Sequence, residues 1–385
     1  LYKQKTILYY NNMKKIFKYT LPALIACPMM LAACSEWTEP ESITLRYPSI
    51  EEQNPKLYAQ YLESLNDFKA SKHSIVMVSV NNLSTAPANQ SQHLTALPDS
   101  VDYICLNNIF DVNEMHITEM DEVRKKGTKV VGLVDFDAIE SAWQAILQKE
   151  AEDAANAETP EEGIEPESND ESESEDETTD EDPAIVNARR FIEYCKKETA
   201  RQLDAINALG TDGIVMNFTG FDLNSLLQDE EKTAAETARQ GAFFNLLTEW
   251  KVDHADKELI FKGSPQNVIG KEILVESKYV IVNAHSAKNL YEMSYLVLMA
   301  SAKGVPTDRF IMGVTTPYLS NMGDQYGVVD GRSAIVAAAE WTLQEVPNYI
   351  KAGISVDGVE QDYFNPAKIY PNVREAINIL SPTAK

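Results

Sequence analysis

The chain has 385 residues, 44% of them hydrophobic, which is enough to bury the core of one large α/β domain or of two smaller ones. Its net charge is −25, but 17 acidic residues lie between positions 150 and 182 in a run without Lys or Arg, and outside that run the net charge is −8. No basic stripe with interleaved aromatic residues is present, so nucleic acid is excluded as the expected partner.

The N-terminal region has the features of an export signal. From Met13 onward, lysines are followed by an apolar run at 21–31 and by the sequence LAAC, which ends at Cys34. The predicted segments are an upstream artefact at 1–12, a signal peptide at 13–33 and a tether at 34–50. We expect lipidation of Cys34, because a lipoprotein signal places the modified thiol at the cleavage junction. A plain secretory signal and a membrane-spanning helix are the alternatives, and the apolar run is short for a bilayer.

The residues after Cys34 bear on where such a lipoprotein would lie. Two acyl signals anchor a protein stably to a membrane, whereas one is marginal. The acidic sequence CSEWTEPE resembles the surface-export tags of lipoproteins from Gram-negative glycan-degrading bacteria. This resemblance implies an outer-membrane lipoprotein on the cell surface.

Beyond residue 51 the sequence alternates between strand and helix patterns. Eight short apolar runs are typical of buried parallel strands. They lie at 74–80, 101–107, 128–134, 212–218, 258–263, 278–283, 309–315 and 352–357. The principal helical patterns lie at 51–72, 113–126, 184–209, 234–254, 290–303, 332–351 and 373–380. Eight such repeats predict an α/β protein with a (β/α)₈ TIM barrel over 51–385 rather than an open doubly wound sheet.

An acidic segment interrupts this pattern between the third and fourth strands. Residues 150–183 combine high like charge with a lack of aromatic residues, a composition that predicts a disordered insertion. Because the helix that follows must return from the carboxyl ends of the strands, we expect the insertion to emerge on the side where such barrels bind ligands.

The fourth strand carries the motif that bears on function. The stretch DGIVMNFT, residues 212–219, and the predicted barrel resemble glycoside hydrolase family 18, which includes chitinases and endo-β-N-acetylglucosaminidases. Members carry D-G-x-D-x-D-x-E on this strand, and its alternate residues point into the barrel mouth. The resemblance implies that the Glu position protonates the glycosidic oxygen while the neighbouring Asp position orients the acetamido group of the substrate.

This sequence departs from that motif at all three inner carboxylates. Asp212 and Gly213 match the pattern, whereas Val215, Asn217 and Thr219 stand at the carboxylate positions. Thr219 cannot act as a general acid, because its hydroxyl does not ionise near neutral pH. The resemblance therefore implies a barrel that keeps a sugar cleft and lacks the chemistry of the family. The alternative is a buried strand in an unrelated barrel.

Other predicted strand ends supply polar and aromatic side chains that would face the mouth. Such groups hold sugar hydroxyls and stack on sugar faces. With Asn217 and Thr219, the candidate ligand-binding residues are Asn81, Asn107, Asp135, Asn283, His285, Tyr318, Asp357, Gln361 and Tyr363. Asp135 and Asp137 form a close acidic pair that could instead cap a helix at Ala138. His285 has no partner at metal-ligand spacing, so we predict neither a metal nor a cofactor.

Two cysteines lie in the predicted barrel. Cys105 falls in a strand pattern and Cys195 in a helical pattern. We expect both to be buried free thiols, with a disulfide or a metal pair as the alternative.

Taken with the resemblance, these features predict a cell-surface lipoprotein that binds glycans containing N-acetylglucosamine without cleaving them. An outer-membrane glycan transporter is the implied protein partner. Two alternatives stay open. One is an active endo-β-N-acetylglucosaminidase or chitinase-like enzyme that takes its acid from Asp135, Asp137 or Asp357. The other is a structural or adhesive surface protein that binds no sugar.

Overall fold

The structure is a computed structural model that describes residues 49–157, 182–317, 326–365 and 367–382. The chain divides into two compact units, residues 1–59 and 60–385. The described part of the first unit holds the helical turn α1, Ile50–Gln53, and the start of α2, Pro55–Ala70. The Ser49 side chain caps α1 by accepting from the backbone N–H of Glu52. Cys34 and the predicted signal peptide lie outside the described residues.

The second unit contains a closed barrel of eight parallel strands. These strands are β1 Ile75–Val80, β2 Tyr103–Leu106, β3 Lys129–Asp135, β4 Gly213–Phe218, β5 Glu258–Gly263, β6 Tyr279–Asn283, β7 Phe310–Thr315 and β10 Lys351–Asp357. A short antiparallel pair, β8 Val328–Val329 and β9 Arg332–Ser333, precedes β10. Each barrel strand overlaps one predicted run, and β10 closes the barrel between β7 and β1. The predicted (β/α)₈ TIM barrel is confirmed.

Helices surround the strands. They are α3 Glu114–Lys125, α4 Phe136–Ala157, α5 Pro183–Leu209, α6 Leu223–Leu226, α7 Glu230–Asp253, α8 Glu272–Glu276, α9 Leu290–Ala300, α10 Ala334–Leu343 and α11 Pro371–Leu380. Several boundaries follow from local chemistry, since the side chains of Asn113 and Asp229 accept backbone N–H groups at the starts of α3 and α7. Gly210 ends α5 in a left-handed conformation. Among the described residues, no helix is long and apolar enough to cross a membrane.

The barrel is packed both inside and outside. Its interior is filled by apolar side chains from alternate strand positions, namely Ile75, Met77, Tyr103, Cys105, Val131, Val215, Ile260, Ile281 and Ile311. A larger apolar shell lies between the strands and the helices and contains Cys195. Cys105 and Cys195 are both free and buried, as predicted. Because the interior is filled, ligands can reach only the ends of the barrel.

The predicted acidic insertion begins later than expected. Its first residues, 150–157, belong to α4, which starts directly after β3. Trp143 of α4 packs on Tyr194 of α5, and further along α4 Glu150 pairs with Arg190, which comes before Tyr194 in α5. The two helices therefore run antiparallel. At its other end, Asp182 caps α5 and Pro183 is the first residue of that helix. The remaining insertion, 158–181, lies between β3 and β4 in the chain and outside the described residues, so its predicted disorder stays a prediction.

Candidate functional site

An open cavity of about 740 Å³ lies at the carboxyl ends of the barrel strands. This volume is within the usual range for small-molecule sites. Nine predicted ligand-binding residues line it: Asn81, Asn107, Asp135, Asn217, Thr219, Asn283, His285, Asp357 and Gln361. We call this cavity the mouth. It collects polar side chains from all eight barrel strands or the segments that follow them, because the carboxyl ends of parallel strands meet at one edge of a barrel.

The first half of the strand-four motif has structural roles. The Asp212 carboxylate accepts hydrogen bonds from the side chain of Arg124 and from the backbone N–H of Val130, so it joins β4 to neighbouring elements. A Cβ on Gly213 would lie 2.3 Å from the carbonyl oxygen of Glu258, which explains the glycine at this position. Val215 is buried in the barrel interior. None of these three residues lines the mouth.

The second half of the motif meets two carboxylates, Asp135 at the end of β3 and Asp137 in the first turn of α4. The Asn217 amide donates to Asp135 Oδ1 over 2.8 Å and to Asp137 Oδ2 over 3.1 Å. Thr219 donates its backbone N–H and its hydroxyl to the two oxygens of Asp137, over 3.0 and 2.7 Å. Asp135 Oδ1 also accepts from the backbone N–H of Ala138, so the capping role predicted for it is present as well. We call Asp135, Asp137, Asn217 and Thr219 the strand-three/four cluster.

A second polar group is centred on Asp357 at the end of β10. Its carboxylate accepts from the Ser79 hydroxyl and from the Lys262 ammonium, each over 2.6 Å. The Nε2 atom of His285 lies 2.8 Å from Asp357 Oδ2 but away from the direction that a good hydrogen bond requires. Lys262 was not among the predicted site residues, although it lines the mouth.

The two groups shift carboxyl pKa values in opposite directions. Burial raises the pKa of the Asp135 carboxyl, and hydrogen bonds from Asn217 and Ala138 offset this only in part. Burial acts in the same sense on Asp357, but the Lys262 ammonium and the nearby His285 outweigh it and hold the pKa of Asp357 well below its usual range. Asp357 is therefore firmly ionised, whereas protonation of Asp135 is favoured by its surroundings.

Two of the predicted aromatic residues do not add to the described mouth. Tyr363 follows the 3₁₀ turn Val359–Asp362. Its ring packs edge-on against Tyr370, at a centroid distance of 5.3 Å, and lines a different cavity from the mouth. Tyr318 lies outside the described residues. Tyr326, which the sequence did not single out, supplies an aromatic ring to the mouth.

The mouth can hold a polar, uncharged or weakly charged ligand by hydrogen bonds. It combines carboxylate and amide oxygens, hydroxyl groups and one ammonium, and its described lining residues include the Tyr326 ring and the His285 imidazole. No group of three or more His, Cys, Asp or Glu side chains in the described ranges could hold a metal ion. A sugar, with many hydroxyl groups that both donate and accept, fits this donor and acceptor set.

Comparison with known proteins places this site in a family context. A family model described as glycoside hydrolase family 18, BT1044-like, matches residues 38–379. A solved selenomethionine variant of BT1044 is 15% identical in sequence, with a TM-score of 0.55, and the match covers 87% of this chain and 96% of that one. At this identity the structural likeness bears on the fold alone. No curated protein matched the chain.

Two chitinase structures are more distant. A glycoside hydrolase family 18 chitinase from Pseudoalteromonas aurantia is 10% identical with a TM-score of 0.43, over 80% of this chain and 100% of that one. A chitinase from Bacteroides thetaiotaomicron is 8% identical with a TM-score of 0.40, over 80% and 97%.

Proposed function

This chain belongs to glycoside hydrolase family 18, in its BT1044-like group, and from that premise we propose that its mouth binds a glycan without cleaving it. The observation that carries the proposal is Thr219, which stands at the acid position of the family motif and donates its hydroxyl to Asp137. A hydroxyl engaged in this way cannot supply the proton that a departing sugar needs.

The strand-three/four cluster supports binding in place of catalysis. In the family pattern, a carboxylate at the Asn217 position orients the acetamido group of the substrate and stabilises developing positive charge. An amide can hydrogen-bond the ligand but carries no charge for this purpose. Both of its donor hydrogens are directed to Asp135 and Asp137, so its carbonyl oxygen is the group left for a ligand. A ligand N–H, such as that of N-acetylglucosamine, would suit this acceptor.

One observation favours the enzyme alternative enough to test it. Asp135 has a raised pKa and lies beside Asp137, which accepts three hydrogen bonds from Asn217 and Thr219. A carboxyl group whose pKa is raised by burial can act as a general acid. Asp135 would then protonate the glycosidic oxygen from β3 instead of β4.

The test separates binding from turnover in one set of samples. Titration calorimetry with chitotriose and with released N-glycans measures binding, and mass spectrometry of the same mixtures measures products. We expect binding without products. Asn283→Ala, in the mouth, should weaken binding about fivefold, as for one lost hydrogen bond. The matched control Asn378→Ala, on α11, should leave it unchanged.

Two outcomes would contradict the proposal. Products that disappear in Asp135→Asn or Asp137→Asn would establish the enzyme alternative and exclude a contaminating hydrolase. Absence of binding to every glycan tested would favour the structural or adhesive alternative. Restoring the motif with Val215→Asp, Asn217→Asp and Thr219→Glu together is a further test, in which recovered activity would support descent from an enzyme.

We also propose that the mature protein is a cell-surface lipoprotein anchored through Cys34 and associated with an outer-membrane glycan transporter. The lipobox LAAC and the acidic sequence after it support this location. Replacement of Cys34 by Ala should abolish metabolic fatty-acid labelling and release the protein from the membrane fraction. Labelling that persists in the Ala variant would contradict the assignment of Cys34.

A further inference from the structure

Arg239, on α7, contacts residues that are next in the chain to both halves of the strand-three/four cluster. Its Cζ atom lies 4.7 Å from the ring centroid of Phe136, which comes between the two acidic residues of the cluster in the chain. The same atom lies 4.4 Å from the ring centroid of Phe221, which follows Thr219 by two residues. A guanidinium group this close to aromatic rings is attracted to them. Arg239 thus joins the start of α4 to the segment after β4, although it does not line the mouth itself.

The same guanidinium group pairs with two carboxylates. Arg239 donates from Nη2 to Glu140 of α4 and from Nη1 to both oxygens of Glu236, over 2.9 and 3.0 Å. The side chains of Arg239 and Glu236 are 13% and 4% exposed, so solvent screens this pair only weakly. An arginine suits the position because its planar group can donate to several acceptors and stack on rings at the same time.

A chain of hydrogen bonds also leads from Glu236 to the backbone of Thr219. The Gln240 amide donates to Glu236 Oε1 and to the carbonyl oxygen of Asn267, each over 2.9 Å. The Asn267 amide in turn donates to the carbonyl oxygen of Thr219 over 2.8 Å. Gln240 is 3% exposed, and its own oxygen accepts a backbone N–H, which fixes the orientation of its amide. α7 therefore supports Thr219 by two routes, through Phe221 and through Asn267.

From these contacts we propose that Arg239 is a positioning residue for the mouth, which holds the start of α4 against the segment after β4. This inference rests on the proposed function of the mouth. With the two segments held together, Asp137 accepts from both Thr219 and Asn217. The amide of Asn217 is then fixed by its two donated hydrogen bonds, and its carbonyl oxygen is kept available for the ligand. Arg239 acts only through these residues.

Amide hydrogen exchange of the full chain, measured by NMR without ligand, tests the positioning role. The backbone N–H of Thr219 is the reporter, because it donates to Asp137. Arg239→Lys keeps a positive charge beside Glu236 but lacks the planar group that reaches both carboxylates and both rings. Exchange at Thr219 should therefore become about tenfold faster in this variant.

A second variant removes one of the rings. Phe221 is 51% exposed and belongs to neither ion pair, so Phe221→Ala leaves the pairing of Arg239 in place. Exchange at Thr219 should become about fivefold faster in it, as for the loss of one cation–π contact. Phe110→Ala is the matched control, since this ring is 42% exposed and lies 3.7 Å from the Cζ atom of Arg201 without lining the mouth. We expect unchanged exchange at Thr219 in the control.

Calorimetric titration with chitotriose then connects positioning to binding. The apparent affinity falls with the population of the ordered mouth, so Arg239→Lys should weaken binding about fivefold, whereas Phe110→Ala should not. Unchanged exchange at Thr219 in both variants would overturn the proposal. An equal increase at the amide of Val78 in the barrel would also overturn it, because Arg239 would then contribute only to global stability.

Unchanged affinity in Arg239→Lys would likewise contradict a role in ligand binding. If the wild-type protein binds neither chitotriose nor an N-glycan, the proposed function fails. The exchange rates would still decide whether Arg239 positions the strand-three/four cluster, so the two failures can be told apart.

Discussion

The buried pair formed by Lys262 and Asp357 should make a large contribution to stability that depends on pH. The two side chains are 14% and 16% exposed, and their Nζ and Oδ2 atoms are 2.6 Å apart. At an effective dielectric constant of about 20, this distance corresponds to an attraction of about 6 kcal/mol before desolvation. Lys262→Met removes this attraction but also removes the unfavourable desolvation of the ammonium. We therefore expect the free energy of unfolding to fall by about 3 kcal/mol, which is at the lower end of the range for breaking a buried pair.

The sign of the pH dependence distinguishes this mechanism from a packing defect. In the wild type the pKa of Asp357 is depressed, so its contribution is present above the unfolded value of 3.8 and is lost as pH falls through the folded value. Without Lys262, we expect burial to outweigh the remaining contribution of His285 and to raise the pKa of Asp357 above its usual value. The Met variant should then lose stability as pH rises above about 4, and its deficit relative to wild type should grow between about pH 4 and pH 7.

Urea denaturation of the wild type and the variants at both pH values measures the effect. Lys278→Met is the matched control, because Lys278 is 44% exposed and pairs with Glu258 over 2.8 Å, and we expect it to cost less than about 1 kcal/mol. Adding Asp357→Asn to Lys262→Met should recover much of the loss, since no unpaired buried charge remains. The reasoning would be refuted if Lys262→Met lowered the free energy of unfolding by less than about 1 kcal/mol, or by the same amount at about pH 4 and pH 7.

Three further predictions concern other buried groups. Asn217→Asp should lower the free energy of unfolding by about 2 kcal/mol at neutral pH and by less near pH 4.5, because it replaces two hydrogen bonds to Asp135 and Asp137 by repulsion between carboxylates. Equal urea midpoints for variant and wild type at pH 7 would contradict this prediction. The Asp135→Asn variant should be more stable than the wild type at pH 7, because a carboxyl group whose pKa is raised in the folded state destabilises the protein as pH rises. This gain in stability should vanish below the unfolded pKa of 3.8, and a variant that urea denatures more easily than the wild type at pH 7 would contradict the prediction. Burial raises the pKa of the Cys105 thiol to about 12 and that of the Cys195 thiol to about 11. N-ethylmaleimide near pH 8 should therefore label both thiols only in denaturant, which mass spectrometry of the peptides would detect. Rapid labelling of either thiol in the folded protein would contradict its burial.

The strands were predictable from the sequence because each is buried on both faces and so is nearly continuous in apolar residues. The run FIMGVT in β7, for instance, is buried at every position. The same pattern indicated which residues of β4 point inward, since alternate side chains face the barrel. Val215 accordingly lies in the interior, and Asn217 lies one step further towards the mouth.

Two helix boundaries were not predictable from apolar spacing alone. The pattern at 332–351 predicted one long helix, but α10 ends at Leu343, before Pro347. A proline has no N–H to donate and disfavours helical geometry in the preceding residue. The helix α4 instead extends further than predicted, to Ala157, because the alanine-rich sequence AEDAANA favours a helix despite its charge.

The sequence prediction also missed Lys262, because it considered charged residues only at or beyond the ends of the predicted strands. Lys262 lies inside the apolar run of β5, two residues after the interior residue Ile260. The alternation of side chains could have placed it at the mouth. What the sequence could not give is its partner, since Asp357 is 95 residues away and the two meet only when β10 closes the barrel.

The pairing of β3 with β4 explains how the mouth can be acidic although β4 carries no carboxylate at the inner positions of the family motif. In that register Asp135 is the neighbour of Asn217. Both side chains point inward, so a carboxylate on β3 lies within hydrogen-bond reach of the position where the family motif places one on β4. Binding a sugar needs acceptors somewhere in the mouth, and β3 provides them. Cleaving it requires a proton donor within about 3 Å of one glycosidic oxygen, and the hydroxyl of Thr219, which stands at the acid position of the family motif, is not such a donor. Under the proposed function, the residues at positions 215, 217 and 219 therefore allow recognition of a sugar without its hydrolysis.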